Sequence, residues 1–96
     1  MSILSFGDSA TADLFHGTPT RKSRQLPPDI IKTALRKLDM LNAAQDLADL
    51  RVPPGNRLES LQGRLKGFYS IRINDQWRII FRWQSGAVDV AIDDYH

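Results

Sequence analysis

The spacing of the apolar residues changes once along this 96-residue chain, and that change restricts the folds it can adopt. Between residues 31 and 41 apolar side chains recur at intervals of three and four, which places them on one face of an α-helix. From residue 69 they recur at every second position in three runs, 69–73, 77–83 and 88–92, as in strands that bury one face. We therefore predict an α+β fold, with N-terminal helices packed on a C-terminal antiparallel β-sheet.

The main helix is predicted to begin after Pro27 and Pro28, which block helix before them, and to run to about Ala44. Asp29 places a negative charge in its first turn, where the helix dipole favours one. The apolar stripe that should face the core consists of Ile31, Ala34, Leu35, Leu38 and Leu41. The residues expected to lie largely outside it are Lys32, Arg36, Lys37 and Asp39.

Shorter elements are predicted on either side of this helix. Residues 3–6 can form a short strand, and Asp8 or Ser9 can cap a short helix that runs through Phe15 and ends before Gly17. The run Pro53-Pro54-Gly55-Asn56 predicts a stiff turn. A chain of this length supports one small core, so we predict a single domain over residues 1–96.

The composition limits the chemistry that the chain can perform. It contains no cysteine, and its two histidines, His16 and His96, are too few for a histidine-rich metal site. We therefore expect no metal and no cofactor, and chemistry carried by carboxylate, Arg, Tyr or His side chains. No apolar run approaches the roughly 18 residues of a membrane span, and no signal-like segment is evident. A cytoplasmic protein without a membrane partner is the expectation.

The positive charges are concentrated in two segments, although the net charge is only +2. Residues 21–37 carry six cations and one acid, and residues 57–82 carry six cations and two acids. Such segments can bind a polyanion or can simply form solvated faces. For the first segment the composition leaves both interpretations open.

The apolar pattern also fixes the register of the first hairpin. A two-residue turn at Asn74 and Asp75 would mix the apolar and polar faces, whereas a three-residue loop from Asn74 to Gln76 keeps them separate. The cross-strand pairs of the predicted register are Ile73 with Trp77, Ile71 with Ile79, Tyr69 with Phe81, and Arg72 with Arg78.

A loop around Ser85 and Gly86 sets the second register in the same way. The predicted pairs are Trp83 with Val88, Phe81 with Val90, Ile79 with Ile92, Arg82 with Asp89, and Arg78 with Asp93. The face away from the helices should then carry a row of Arg72, Arg78 and Asp93, with Tyr95 two residues further along. Opposed like charges are destabilising, so the arginine pair suggests a phosphate between them. The alternative is that Asp93 and Asp89 neutralise Arg78 and Arg82 in surface ion pairs.

Three stretches carry a resemblance to a known family. They are Pro53-Pro54-Gly55-Asn56-Arg57-Leu58-Glu59-x-Leu61, then Tyr69-Ser70-Ile71-Arg72-Ile73-Asn74-Asp75-Gln76-Trp77-Arg78-Ile79, and Asp94-Tyr95-His96. With Ser5-Phe6, Phe15-x-Gly17 and Arg36-Lys37-Leu38, they resemble HigB-like plasmid-maintenance-killer toxins of the RelE-type superfamily over nearly the whole chain. The resemblance implies a fold similar to small microbial ribonucleases, and a toxin of a type II toxin–antitoxin system that cleaves messenger RNA in the ribosomal decoding site.

The resemblance also implies roles for individual residues. In such a reaction the 2′-hydroxyl attacks the neighbouring phosphate, so the site needs a base, an acid and cations. Arg78 should stabilise the phosphate, His96 is the expected acid, and Tyr95 could stack on a base or donate to the phosphate. The set of implied catalytic residues is Arg78, Asp94, Tyr95, His96 and Glu59, and the set that binds RNA phosphate is Arg57, Arg64, Lys66 and Arg72.

Three features depart from the family pattern and can reduce the expected activity, one of which is an acid added or moved near the terminus in Ala91-Ile92-Asp93. Relatives can carry His where this chain has Glu59, and Lys is common where it has Gln62. Glu59 can serve as general base or can support structure through Arg57. Gln62 removes one positive charge from the site.

Three functions remain open from the sequence. The chain is a ribosome-dependent endoribonuclease, a catalytically degenerate protein that binds ribosomes or RNA, or a co-repressor that acts with its partner. The implied partners are a helix-turn-helix antitoxin, the ribosome and messenger RNA, with operator DNA contacted only through the antitoxin. The antitoxin is expected to bind over the basic sheet or its flanks.

Overall fold

Helices come first and strands second in the computed structural model, which describes residues 2–94. The elements are α1 (Ser9–Phe15), α2 (Pro28–Ala43), β1 (Glu59–Ser60), β2 (Tyr69–Arg72), β3 (Trp77–Trp83) and β4 (Ala87–Asp94). The strands form one antiparallel sheet in the order β1-β2-β3-β4. The predicted α+β architecture is therefore confirmed. Among the described residues, no helix is long and apolar enough to cross a membrane.

The core lies between α2 and one face of the sheet, called the inner face here. Phe81, Ile79 and Ile71 on the strands are fully buried, as are Leu38 and Leu41 on the helix. Burying side chains of this size stabilises the fold by roughly 1.5–3 kcal/mol each. This packing orients the sheet so that the alternate strand residues point away from the helices.

The face that α2 buries differs in part from the predicted stripe. Its buried residues are Ile30, Ala34, Lys37, Leu38 and Leu41, whereas Ile31 and Leu35 are only half-buried. The prediction that Lys37 lies outside the stripe was therefore wrong. The spacing i, i+4, i+7, i+8 and i+11 is also a helical face, rotated by roughly 50° about the helix axis from the predicted one. Which of the two faces is buried depends on the rotation of α2 about its own axis as it packs on the sheet.

The N-terminal segment runs beside β4. The predicted strand at residues 3–6 appears as two parallel bridges, Ile3 with Ala87 and Phe6 with Val90. The short helix begins where predicted, since the Asp8 side chain accepts a hydrogen bond from the Thr11 amide at 2.8 Å. The Thr11 hydroxyl in turn accepts from the amide of Ile92 at 2.9 Å, which ties α1 to the last strand.

The first hairpin has the predicted register. Tyr69 pairs with Phe81, Ile71 with Ile79, and Arg72 with Arg78. The amide of Ile73 donates to the carbonyl of Trp77 at 2.9 Å, and the Asn74 side chain accepts from the amides of Gln76 and Trp77 across the loop. The separation of apolar and polar faces was therefore sufficient to fix this register.

The second hairpin follows the predicted register only in the half that is distant from its loop at Ser85 and Gly86. Arg78 pairs with Asp93 and Ile79 with Ile92 as expected, but Trp83 pairs with Ala87 and Arg82 with Val88. A bulge near Asp89, which has φ 55°, shifts the register by one residue. The Asp89 amide donates to the Ser5 hydroxyl at 2.9 Å. The N-terminal segment therefore contacts the bulge. The apolar pattern of the two strands contains no information about this contact.

Strand β1 was not predicted. It pairs Glu59 with Ser70 and Ser60 with Tyr69, and both of its residues are exposed. Two exposed residues carry no apolar alternation, so the sequence offers no periodic signal for this strand.

A test of the N-terminal packing concerns Gly86 in the second hairpin. A β-carbon there would lie 2.7 Å from the Ser2 carbonyl oxygen and 3.0 Å from Leu4 Cγ. We expect Gly86→Ala to lower the free energy of unfolding by about 1–3 kcal/mol, because the N-terminal segment must move away. Gly55→Ala is the matched control, since a β-carbon at Gly55 meets nothing within 4 Å. Urea denaturation of both variants measures the difference, and equal midpoints would contradict the close packing.

Candidate active site

Two arginines lie side by side on the outer face of the sheet, the face turned away from α2. Arg72 on β2 and Arg78 on β3 are direct cross-strand partners. In an antiparallel sheet this places their β-carbons roughly 5 Å apart, so the two guanidinium groups can reach one anion. Their side chains are 30% and 16% exposed, which leaves each cation near the surface with restricted motion.

Two neighbours hold the guanidinium of Arg78. Its Nη1 donates to the Ser70 hydroxyl at 3.0 Å, and its Nη2 lies 3.5 Å from Glu59 Oε1. Ser70 is fully buried between Glu59 on β1 and Ile80 on β3. A hydrogen bond from a charged group to a buried hydroxyl restricts the orientation of the planar guanidinium. The arginine is therefore fixed before any ligand arrives.

Arg72 is held by a different acid. Its Nη2 pairs with the Asp75 carboxylate three residues further along the chain. The Asp75 side chain is 94% exposed, so this is a surface ion pair worth about 0–1 kcal/mol. A phosphate oxygen can displace so weak a partner.

Strand β4 ends in two acids, of which Asp93 shares the outer face with Arg78 and Asp94 has the opposite strand parity. Asp93 is the cross-strand partner of Arg78, and Asp94 is that of Trp77. Gln76 Nε2 donates to Asp94 Oδ2 at 3.1 Å, which connects the loop after β2 to the end of β4. The predicted row of Arg72, Arg78 and Asp93 is therefore present. Tyr95 and His96 lie outside the described residues, so their predicted roles remain predictions.

The other cations predicted to bind RNA lie on the segments that flank β1. Arg57 precedes β1, and Arg64 and Lys66 follow it; all three are exposed. Arg57 has a left-handed backbone with φ 46° at the end of the turn formed by residues 54–56. The cations predicted to bind RNA thus come both from the sheet, which carries Arg72, and from the segments before and after β1.

A buried polar pair, Lys37 and Asn56, links the segment before β1 to α2. Lys37 is only 6% exposed, and its Nζ donates to Asn56 Oδ1. Asn56 is fully buried, and its Nδ2 donates to the carbonyls of Leu50 at 3.2 Å and Val52 at 3.4 Å. Asn56 therefore fixes the chain immediately before Arg57 to the helix behind the sheet.

Burial lowers the pKa of Lys37 from its ordinary value of 10.5, and repulsion from Arg36 and Arg72 lowers it further. The folded protein then binds this proton less tightly than the unfolded chain does. The free energy of unfolding is expected to rise with pH from the lowered pKa up to about 10.5, as protons leave the unfolded state.

Lys37→Met should remove this contribution to the pH dependence. Urea denaturation between about pH 7 and pH 10 measures the gain in stability of the wild type and of the variant. Lys32→Met is the control, because Lys32 is exposed on the same helix. The wild type and the Lys32 variant should gain the same stability and the Lys37 variant less. An equal gain in all three proteins would contradict the effect of burial.

Sequence analysis missed two residues of this region, although a signal for each was present. Ser70 has the same strand parity as Arg72, which places it on the outer face beside Arg78. Lys37 lies three residues after Ala34 and four before Leu41, so helical spacing places it on the buried face. The sequence analysis placed Lys37 outside the apolar stripe and assigned no environment to Ser70, whereas both side chains are buried in the structure.

The geometry suits an anionic ligand. Two adjacent guanidinium groups can neutralise charge on one phosphate, with acids on β1 and β4 within the same region of the sheet. Within residues 2–94, no group of three or more His, Cys, Asp or Glu residues could hold a metal ion. The described side chains therefore supply cations and carboxylates for phosphate chemistry.

Comparison with known proteins agrees with this geometry. Residues 4–96 match the family of RelE-like toxins of type II toxin–antitoxin systems, HigB. The chain is 49% identical to Toxin HigB-1 of Vibrio cholerae over 75 residues, covering 78% of this chain and 76% of that protein. It is 39% identical to an uncharacterized protein of Haemophilus influenzae over 72 residues, or 75% of this chain and 71% of that protein. The YoeB-YefM complex from Staphylococcus aureus contains a similar fold, with TM-score 0.60, 21% identity, and coverage of 100% of this chain and 97% of that one.

Proposed function

The chain belongs to the HigB-like family of RelE-like type II toxins, and from that premise we propose that it cleaves messenger RNA on the ribosome. The observation that supports the proposal best is the direct pairing of Arg72 with Arg78 on the outer face. Opposed like charges are destabilising, and the carboxylates of Asp75 and Glu59 lie beside the two arginines and not between them as a shared anion would. A phosphate can bind both guanidinium groups at once, and RNA supplies one at every nucleotide.

In the proposed reaction the 2′-hydroxyl of one nucleotide attacks the adjacent phosphate, and the bond from phosphorus to the 5′-oxygen breaks. A base removes the proton of the 2′-hydroxyl, and an acid delivers a proton to the leaving 5′-oxygen. Arg78 and Arg72 stabilise the negative charge that gathers on the phosphate oxygens. The products are an RNA with a 2′,3′-cyclic phosphate and an RNA with a free 5′-hydroxyl.

Assignments for acid and base follow from residue type and position. His96 is the proposed acid, and Tyr95 is proposed to contact a base or the phosphate. Glu59 is the proposed base because its carboxylate already lies 3.5 Å from Arg78 and is 45% exposed. Asp94 is proposed to orient the segment that carries Tyr95 and His96. Arg57, Arg64 and Lys66 are proposed to bind flanking phosphates of messenger or ribosomal RNA.

The partner that the family implies is an antitoxin, and we propose that it contains a helix-turn-helix domain. Through it the toxin would contact operator DNA only indirectly. Because translating ribosomes are the proposed site of action, the cytoplasm is the proposed location.

One observation favours a second candidate function, a degenerate toxin that binds RNA without cutting it. Both arginines already have a carboxylate within ion-pair distance, Asp75 for Arg72 and Glu59 for Arg78. However, the Arg72–Asp75 pair lies at the surface and is worth only about 0–1 kcal/mol, less than a charge-assisted bond to phosphate, so Arg72 can exchange Asp75 for a substrate phosphate and the catalytic proposal is preferred.

The experiment that tests the proposal is induced expression without the antitoxin, with messenger RNA ends mapped on translating ribosomes. Growth arrest with new cuts in translated regions supports the endoribonuclease. Growth arrest with intact transcripts would favour the degenerate RNA-binding toxin. Unaffected growth with intact transcripts, while the antitoxin complex still represses its operon, would favour the co-repressor.

A further inference from the structure

A groove in the helical layer lies outside the site described above. It has a volume of about 420 Å³ and is formed by α1, the connection 17–26 and the start of α2. Most of its lining is apolar, with Leu14 from α1, Leu26 from the connection, and Ile31 and Leu35 from α2. Because α2 covers the inner face of the sheet, the groove does not belong to the outer face that carries Arg72 and Arg78.

Part of the apolar lining does not belong to the core: Leu14 and Leu26 pack against the core cluster, whereas Ile31 and Leu35 do not. Ile31 and Leu35 belong to the apolar stripe of α2, yet they are half-buried, while Ile30, Ala34 and Leu38 contact the main core. Partly exposed apolar residues that gather in a groove are typical of a surface that binds a partner.

The segment 17–26, which forms one wall of the groove, is held in place by hydrogen bonds. Thr20 Oγ1 donates to Asp13 Oδ2 at 2.8 Å, and the Thr20 amide donates to the Ser23 hydroxyl at 3.0 Å. Pro19 and Pro28 also line the groove, and their fixed φ angles restrict the backbone on both sides. A preformed wall lowers the entropic cost of binding.

The charges around the groove indicate the chemistry of the occupant. Arg24 lines it directly. Four more exposed cations lie on the segments that form the groove. Two are on the connection 17–26, Arg21 and Lys22, and two are on α2, Lys32 and Arg36. Asp13 also lines the groove, and its carboxylate accepts a hydrogen bond from Thr20. An apolar groove lined by Arg24, on segments that carry an excess of exposed cations, fits an amphipathic segment whose apolar side chains are flanked by Asp or Glu.

We propose that this groove is the anchor site of the antitoxin, which inserts an apolar segment with acidic flanks. The inference rests on the toxin–antitoxin assignment of the proposed function and adds the surface and the chemistry of the bound segment. It places the anchor on the helical layer instead of the basic sheet. RNA fits the groove less well, since phosphates would have to lie against Leu14, Ile31 and Leu35.

The test measures the affinity of the purified toxin for the antitoxin encoded in the same operon, by calorimetric titration. Leu35→Glu places a carboxylate on the groove floor, and we expect it to weaken binding at least about 30-fold, as for a central interface residue. Arg24→Glu should weaken binding and reduce its salt dependence. Val52→Glu is the matched control, because Val52 is a 73% exposed apolar residue outside the groove.

Unchanged affinity in both groove variants overturns the proposal, as does an equal loss in the Val52 control. Arg24→Glu alters an exposed side chain, so it tests the groove even if Leu35→Glu fails to fold. Ribosome binding weakened by the groove variants, with antitoxin affinity unchanged, would assign the groove to RNA instead. A wild type that binds the antitoxin through the groove but leaves messenger RNA intact contradicts only the endoribonuclease proposal.

Discussion

Arg78→Ala is expected to lower the rate of RNA cleavage by about 100- to 1,000-fold. The guanidinium of Arg78 is oriented by Ser70 and Glu59 before substrate binds, so its stabilisation of the transition state requires little reorganisation. Alanine removes that charge and leaves the neighbouring Arg72 as the remaining member of the pair. Single-turnover cleavage of messenger RNA on purified ribosomes measures the effect.

Two further variants make this prediction specific. Arg82→Ala is the matched control, because Arg82 lies on the same strand and face and is 46% exposed. Its guanidinium lies 4.0 Å from Asp89 Oδ2 and 5.8 Å from the centre of the Phe68 ring, and none of the proposed catalytic residues contacts it in these two interactions. Arg78→Lys keeps the charge but cannot bind Ser70 and a phosphate with one planar group, so it should retain only part of the activity. Equal rates for the Arg78 and Arg82 alanine variants, with both proteins folded, would remove Arg78 from the reaction.

Asn56→Leu is expected to lower the free energy of unfolding by about 3 kcal/mol. The substitution leaves the buried ammonium of Lys37 without the acceptor that Asn56 Oδ1 provides. It also removes the hydrogen bonds from Asn56 Nδ2 to the carbonyls of Leu50 and Val52. For a domain of this size the loss corresponds to a fall in the melting temperature of about 12–24 °C.

A double variant separates the charge from the packing. Lys37→Met removes the buried ammonium, so Asn56→Leu should cost less in that background than in the wild type. Thermal and urea denaturation of the four proteins in this cycle give the coupling energy. A coupling near zero would show that the stability of the connection before Arg57 does not depend on this pair.

The two predictions concern different parts of the same region. Arg78 is positioned from the sheet side by Ser70, whereas the connection that carries Arg57 and leads to Glu59 is held from the helix side by Asn56 and Lys37. A change in the core contact of α2 is therefore expected to affect the cationic surface as well as the stability. The groove variants lie on the other side of α2 and should leave cleavage unchanged.

Much of the candidate site could be predicted because strand parity is a local property. The separation of apolar and polar residues fixed the loop Asn74 to Gln76, and that loop alone placed Arg72 opposite Arg78. The same logic placed Asp93 opposite Arg78. A shift of one residue would have moved every apolar side chain to solvent, so competing registers were excluded by a large energy difference.

The prediction failed where the structure depends on contacts between distant segments. The bulge at Asp89 forms with the N-terminal residues Ser5 and Gly7, more than eighty positions away. The two strands of the hairpin carry no information about that contact, so the pairs of Trp83 and Arg82 were predicted one residue out of register. The pair formed by Lys37 and Asn56 was missed for the same reason.

The sequence by itself determined the order of elements, the apolar face of each strand and the arginine pair, because all three follow from local periodicity and hydrophobic burial. The tertiary structure decided which of the possible faces of α2 is buried, how completely Ser70 and Lys37 are covered, and that Ile31 and Leu35 line a groove. These features depend on the angle and rotation at which the helix meets the sheet. Several helical faces satisfy the same spacing, and only close packing of the whole chain selects one of them.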